Sequence, residues 1–236
     1  AGFDLTSLHV GGFGAFGAIA QCHVRLRARP RADTTWTATG SRNDLLRLAR
    51  ALIAARIEAA AVELFSPDLA GSAAWTLAVR LAAGDAAVAA SGAALQVLSG
   101  GWRELLPERQ MLLWNSTARL LATPPVTLRL GALPTDLPSV LDELEPVVGP
   151  GLISVGALGH IRWAGDTGMM ELRRLRARLA PRGVPVVLER GPWRVRAGAG
   201  HFGACRPGVA ALTQRLRAAF DPDELFVTPL EERDDP

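Results

Sequence analysis

The sequence contains no lysine and no tyrosine; all 26 of its basic residues are arginine. With no ammonium or phenol side chain to titrate at about 10, the sequence pI of about 9.9 overstates a net charge of only +3. A nucleic-acid binder concentrates positive charge and interleaves aromatic stacking groups. Here the arginines are spread along the chain, so no nucleic-acid partner is expected. The densest run, Arg173-Arg174-x-Arg176-x-Arg178, falls in a helical pattern and reads as a solvated face rather than a phosphate-binding patch.

Cysteine is scarce as well. Cys22 and Cys205 are too few for a disulfide framework, and a reducing, cytoplasmic setting is expected. Adjacent residues on an extended chain point to opposite sides, so Cys22 and His23 cannot grip one ion. His201 and Cys205 have no second pair at zinc-like spacing, and no metal site is expected. No run of about eighteen uninterrupted apolar residues occurs; the alanine-rich stretch 86–98 is broken by Ser91, Gly92 and Gln96, so no membrane span is expected. No signal-peptide pattern stands at the start. Ser41, Ser72 and Ser139 lack any G-x-S-x-G context, which leaves hydrolase chemistry without support. The first methionine is Met111, and the opening residues read as the middle of a structural unit, so the chain is expected to be a fragment or a truncated reading frame.

What is present is a pattern written twice. The first copy predicts a strand at 32–38, a helix at 41–56 with Leu45, Leu48, Ala49, Leu52 and Ile53 on one face, strands at 60–66 and 74–82, and a helix at 84–98. The second predicts a strand at 125–132, a helix at 136–146, strands at 151–157 and 158–164, a helix at 168–180 and a strand at 184–190. Local chemistry agrees with these boundaries. Ser41 is a helix N-cap, Pro134-Thr135-Asp136 opens the next helix, and Arg182-Gly183 closes the 168–180 helix. The fold class that follows is α+β: two ferredoxin-like βαββα(β) halves, helices on one face, joined edge to edge into a wide antiparallel sheet. Residues 99–124 form a connection containing one helix around Leu112, Leu113 and Trp114, and a last helix runs from Val209 to Phe220 until Asp221-Pro222 stops it.

Ahead of the first copy stands "HVGGFGAFGAIAQCHVRLRARP", residues 9–30, in which Gly12-x-Gly14-x-x-Gly17 spells a dinucleotide-binding fingerprint. That fingerprint has meaning only where a strand enters the glycines and a helix leaves them. Here Asp4 followed by spaced apolar residues predicts a helical turn before them, and the alternation from Val24 to Arg29 predicts a half-buried strand after them. A Rossmann turn is therefore not expected.

The residues "FDLTSLHVGGFGAFGAIAQCHVRLRARP" resemble instead the closing segment of the FAD-binding domain in the vanillyl-alcohol oxidase and p-cresol methylhydroxylase superfamily, with its D-L-x-x-L-x-x-G-x-x-G-x-x-G-x-I spelling. "RLRAAFDP" at 215–222 is similar to that family's C-terminal helix and F-D-P turn, and "GALGHIRWAGD" at 156–166 with the paired ferredoxin-like cap looks most like the FAD-binding subunit of bacterial glycolate oxidase. The resemblance implies FAD as cofactor, held in part by Gly11, Gly12, Gly14, Gly17, Ala18 and Ile19, and a domain order of 1–30 as the end of the FAD domain, 31–206 as the cap, and 207–236 returning to the FAD domain. It implies a small 2-hydroxy acid as substrate, its hydride passing to the flavin, and other subunits of a glycolate-oxidase-like complex as partners. His160 and Arg162 share a face if 158–164 is a strand, and this cationic pair suits a substrate carboxylate; His9 stands close to the glycines. The sequence departs from the family in having no pyrophosphate-binding half and in carrying Val227 where an asparagine belongs, and it offers no complete catalytic constellation. The competing expectation is a non-catalytic assembly subunit that docks a catalytic flavoprotein.

Overall fold

The computed structural model describes residues 4–157, 159–203 and 207–226. After a short α1 (Leu5–His9) the first copy runs β1 (Ala32–Gly40), α2 (Arg42–Ala54), β2 (Ala61–Phe65), α3 (Pro67–Ala70), β3 (Trp75–Ala83), α4 (Asp85–Leu98) and β4 (Arg103–Glu104). A linking helix, α5 (Pro107–Ala122), leads to the second: β5 (Val126–Gly131), α6 (Leu137–Val148), β6 (Gly151–Gly156), β7 (His160–Gly165), α7 (Met169–Leu179) and β8 (Val186–Arg190). Two further helices follow, α8 (Trp193–Ala199) and α9 (Pro207–Phe220). The expected tail at 227–236, with Val227, and Cys205 lie outside the described residues.

All eight strands form one antiparallel sheet in the order β4-β1-β3-β2-β6-β7-β5-β8. Read outward from the join between β2 and β6, the second half repeats the first, and Leu64 faces Val155 at that join. The register then fixes which residues are equivalent. The row Leu64–Leu77–Ala38 corresponds to Val155–Ile161–Leu130, and each row beside it follows in step.

One face of the sheet carries α2, α4, α6 and α7, and their contact residues form a single apolar core that passes under both halves, from Leu52, Leu77 and Leu81 to Leu128, Leu144, Trp163 and Leu175. Burial of this apolar surface is what holds the two copies as one unit. Ser41 caps α2 by accepting from the Asp44 amide at 3.2 Å, as its position predicts. The buried stripe of α2 is rotated slightly from expectation: Leu46 is buried, whereas Ile53 is 43% exposed.

The other face departs from the expectation that helices cover one side only. Helix α5 crosses it, with Leu113 and Leu120 in a second apolar cluster with Phe65, Leu69, Ala78 and Ala164. Its consecutive Leu112-Leu113-Trp114 gives no period from which a docking face can be read. Two other expectations are corrected. Residues 24–30 form no strand: Val24 is 72% exposed and Leu26 86%, and among the described residues no strand pairs with them. An alternating pattern makes a strand only where a neighbour takes its backbone hydrogen bonds. The arginine run on α7 is only partly a solvated face. Arg174 and Arg178 are exposed, but Arg176 donates to the carbonyls of Val186 (3.1 Å), Gly200 (3.1 Å), His201 (2.9 Å) and Ala199, and Arg173 to that of Gly198. These guanidiniums satisfy carbonyls that the end of α8 leaves open. The segment they hold lies along β8: the Leu188 amide donates to the His201 carbonyl at 2.7 Å, and His201 Nδ1 donates to the Leu188 carbonyl at 3.0 Å.

Candidate functional site

The glycine loop is built on α1. Asp4 caps that turn, accepting from the Thr6 amide at 3.0 Å, and the hydrogen bonds to its oxygens hold its carboxyl below the ordinary range, Ser7 first among them. His9 ends the turn with Nδ1 donating to the Leu5 carbonyl at 2.9 Å, and its Nε2 lies 3.8 Å from where a Cβ on Gly17 would stand. The chain then folds back tightly, Gly12 donating to the His9 carbonyl (3.2 Å) and Ala15 to the Gly12 carbonyl (2.9 Å).

The glycines of the loop do different jobs. A Cβ on Gly12 would stand 2.9 Å from the Leu8 carbonyl oxygen and 3.3 Å from Phe16 Cδ2, so its small size answers to packing inside the turn. Gly11 and Gly14 have φ of +83° and +75°, and a Cβ on either would meet nothing within 4 Å. The amides of Gly11, Phe13, Gly14 and Gly17 make no hydrogen bond among the described residues. Main chain bare of side chains is thus exposed at Gly11 and Gly14, the arrangement that lets backbone donors reach a ligand's oxygen or nitrogen atoms. Ala18 and Ile19 continue from it, both exposed.

Aromatic edges fix this loop to the rest of the chain. Phe16, 8% exposed, packs on Phe220 at the end of α9 with ring centroids 6.4 Å apart, and His9 meets the same ring at 5.6 Å. Phe13 sets its edge against Phe202 at 5.1 Å, beside the residues that Arg176 pins. Phe220 is itself held by the F-D-P turn. Asp221, 4% exposed, accepts from the amides of Leu225 (2.8 Å) and Phe226 (2.9 Å), while Arg217 donates to the Phe226 carbonyl at 2.9 Å. Burial pushes the Asp221 carboxyl up, but those two amides and the Arg217 guanidinium outweigh it and hold the pKa below the ordinary value.

The second group lies on the sheet face that α5 crosses. His160 and Arg162 are both exposed on one side of β7, with Ile161 buried between them, as the strand expectation requires. The structure adds two residues that sequence reasoning missed. Arg129 on β5 is directly opposite Arg162, and Glu189 on β8 accepts from Arg129 Nε at 2.9 Å and from Arg162 Nε at 3.0 Å. Lone arginines on strands carry no signal until the register brings them together. His9, Cys22 and His23 are not part of this group, and among the described residues no cluster of three or more His, Cys, Asp or Glu could hold a metal. No described helix is long and apolar enough to cross a membrane.

No family model and no curated protein matches the sequence. Solved structures do match the fold. Alkyldihydroxyacetonephosphate synthase superposes with a TM-score of 0.61 at 9% identity, over 94% of this chain and 48% of that one. A 4-ethylphenol oxidase from Gulosibacter chungangensis, in complex with isoeugenol, gives 0.59 at 11% identity over 86% and 54%. p-Cresol methylhydroxylase with substrate bound gives 0.56 at 12% identity over 82% and 51%. The chain spans about half the length of these structures. The fold expected from the resemblance to the vanillyl-alcohol oxidase and p-cresol methylhydroxylase superfamily is the fold observed.

Proposed function

We propose that the chain is the cap half, with the last segment of the cofactor lobe, of an FAD-dependent oxidoreductase that acts on a small 2-hydroxy acid, as a glycolate-oxidase-type subunit does. The observation that carries this reading is the outward-facing main chain at Gly11 and Gly14, with no side chain in the way and amides left without partners among the described residues. Such a surface suits the oxygen- and nitrogen-bearing edge of an isoalloxazine ring. Gly11, Gly14 and Gly17, continued by Ala18 and Ile19, are the residues that would hold it, while Gly12 shapes the loop from within. The packing of Phe16 and His9 on Phe220 supports the grouping of residues 1–30 with the C-terminal helix around that cofactor lobe.

When bound, FAD supplies a hydride acceptor. The chain's own part is positioning. His160 and Arg162 would orient the substrate carboxylate through charge-assisted hydrogen bonds, and partner subunits would take up the electrons. The fold shared with 4-ethylphenol oxidase and p-cresol methylhydroxylase supports the oxidoreductase class.

The test is to purify the longest polypeptide in which this sequence occurs and record its absorbance. We expect a yellow protein whose flavin band bleaches on anaerobic addition of glycolate. Gly14→Val should retain the circular dichroism spectrum of the parent and lose the flavin. A folded but colourless parent protein would overturn the reading and favour the assembly-subunit role.

A further inference from the structure

Two copies of one supersecondary unit, built to the same register, allow each side chain on the α5-crossed face to be compared with its equivalent. The comparison is uneven. In the first half the row on one side of Leu64–Leu77–Ala38 is Glu63–Ala78–Thr37; in the second half the equivalent row is Ser154–Arg162–Arg129. On the other side, Phe65–Thr76–Thr39 corresponds to Gly156–His160–Gly131.

The first-half residues are mostly covered. Phe65 and Ala78 are 0% exposed, Thr76 is 6% and Thr37 is 9%, with α3, in the chain between β2 and β3, and α5 packed over them. Between β6 and β7 there is no such helix, only residues 157–159, and the corner of the sheet holding His160, Arg162 and Arg129 stays open. The fold itself needs none of these side chains. Small neutral residues occupy the same places in the other copy, and like charges directly opposite on neighbouring strands are destabilising.

Glu189 offsets part of that repulsion, and its placement is unusual. The register of β8 on β5 shifts between Leu128, opposite Leu188, and Thr127, opposite Arg190, which leaves Glu189 as the extra residue of a β-bulge. Val187 is opposite Arg129, and alternation along β8 puts Glu189 on that same open face, where it engages both arginines through Nε only. Among the described residues the Nη atoms of Arg129 and Arg162 make no hydrogen bond, and the two side chains are 36% and 46% exposed. One carboxylate therefore fixes two guanidinium planes and leaves their terminal donors free, with a net charge of +1 for the three groups. Beside them, His160 stands between two glycines. A Cβ on Gly131 or Gly156 would come no closer than 3.8 Å or 3.7 Å to its surroundings, so packing does not dictate glycine at either place, and the floor around His160 is bare.

The geometry points to an oxyanion-recognition site made of Arg129, Arg162 and His160, held in shape by Glu189, that takes the carboxylate or phosphate head group of a small molecule. It rests on the proposed function for its link to a substrate and adds to that reading a second arginine and the residue that orients both. Paired guanidiniums with free Nη donors match the planar oxygens of carboxylate and the oxygens of phosphate alike.

The experiment is calorimetric titration of the chain with glycolate, with inorganic phosphate and with the neutral glycolamide, followed by nitrogen-15 spectra of the arginine side chains. Binding of glycolate but not phosphate identifies a carboxylate site; the reverse identifies a phosphate site. In either case Arg129→Gln and Arg162→Gln should each weaken binding by about 10-fold or more, Arg47→Gln on the exposed side of α2 should not, and glycolamide should fail to bind. Should a variant not fold, the unsubstituted chain still decides: the side-chain signals of Arg129 and Arg162 must shift on titration while that of Arg47 stays in place. No binding of either anion, or equal loss with Arg47→Gln, overturns the proposal. Neither result depends on flavin, so a colourless protein that binds glycolate here would sink the oxidoreductase reading and leave this site standing.

Discussion

Thr35 and Thr127 occupy equivalent positions in the two halves, and both are hydrogen-bonded to the same helix. Thr35 Oγ1 accepts from Trp114 Nε1 at 2.9 Å, and Thr127 Oγ1 donates to the Leu120 carbonyl at 2.7 Å. Each hydroxyl is fully buried. Helix α5 is thereby tied down at one point in each copy, and Trp114 further sets its edge on Phe65 at 5.8 Å. Thr35→Val keeps the side-chain volume and strands the indole N–H, at a cost of about 1–3 kcal/mol. Thr127→Val should cost a similar amount. Chemical denaturation measures the loss, and faster amide exchange along α5 would localise it.

Arg176 predicts a larger effect. Arg176→Met keeps an aliphatic stem but withdraws the donor shared by the carbonyls of Val186, Ala199, Gly200 and His201. We expect a loss on the order of 2–3 kcal/mol. Exchange protection should fall at residues 198–203 and, through the Phe202–Phe13 contact, in the glycine loop. A variant as stable as the parent would show that these carbonyls are satisfied as well by water.

Within the loop, two alanine substitutions should behave differently. Gly12→Ala drives a methyl into the Leu8 carbonyl and should loosen the turn from α1 to Phe16, read as cleavage by a nonspecific protease near residues 10–17. Gly14→Ala meets no neighbouring atom and carries only the strain of a positive φ, about 1–2 kcal/mol. Equal protease sensitivity in the two variants would contradict the division of labour between these glycines.

The Asp221 turn gives a pH dependence with a definite sign. A carboxyl whose pKa is lowered in the folded state stabilises that state fully above its unfolded value of about 3.9, and the contribution disappears as pH falls through the folded value. Stability of the parent should therefore drop below about pH 4 more steeply than that of Asp221→Asn, and the variant should be the less stable of the two at pH 7, where only the parent has the charged acceptor. Denaturation midpoints measured across this range on both proteins check the difference, and parallel curves would refute it.

The repeated pattern was legible because both copies bury one strand face and one helix stripe in a common core, so apolar periods of two and of three to four residues mark the elements directly. Leu128 and Leu130, or Leu141 and Leu144, announce themselves in this way. What the sequence hides is whatever depends on a partner distant in the chain. The period-two run from Val24 to Arg29 looks like a strand, yet extended backbone is not a strand without a neighbour. Arg129 and Glu189 acquire a role only once β5 lies between β7 and β8 and the register sets the carboxylate beside both arginines. Trp114 and Leu120 find their places only because α5 must cross both halves. Gly11 and Gly14 could be singled out from spelling, but which glycine serves the loop and which faces outward depends on φ and on the atoms around each Cβ.

The two margins of the sheet differ in construction and share an effect. At one end β4 is only Arg103–Glu104, too brief and too charged to template another strand, and at the other the main chain of Leu188 is occupied by His201. Among the described residues, a second molecule would therefore find the ladder interrupted at Trp36–Thr37 on one margin and at Leu188 on the other, which disfavours extension of the sheet by strand pairing at those places.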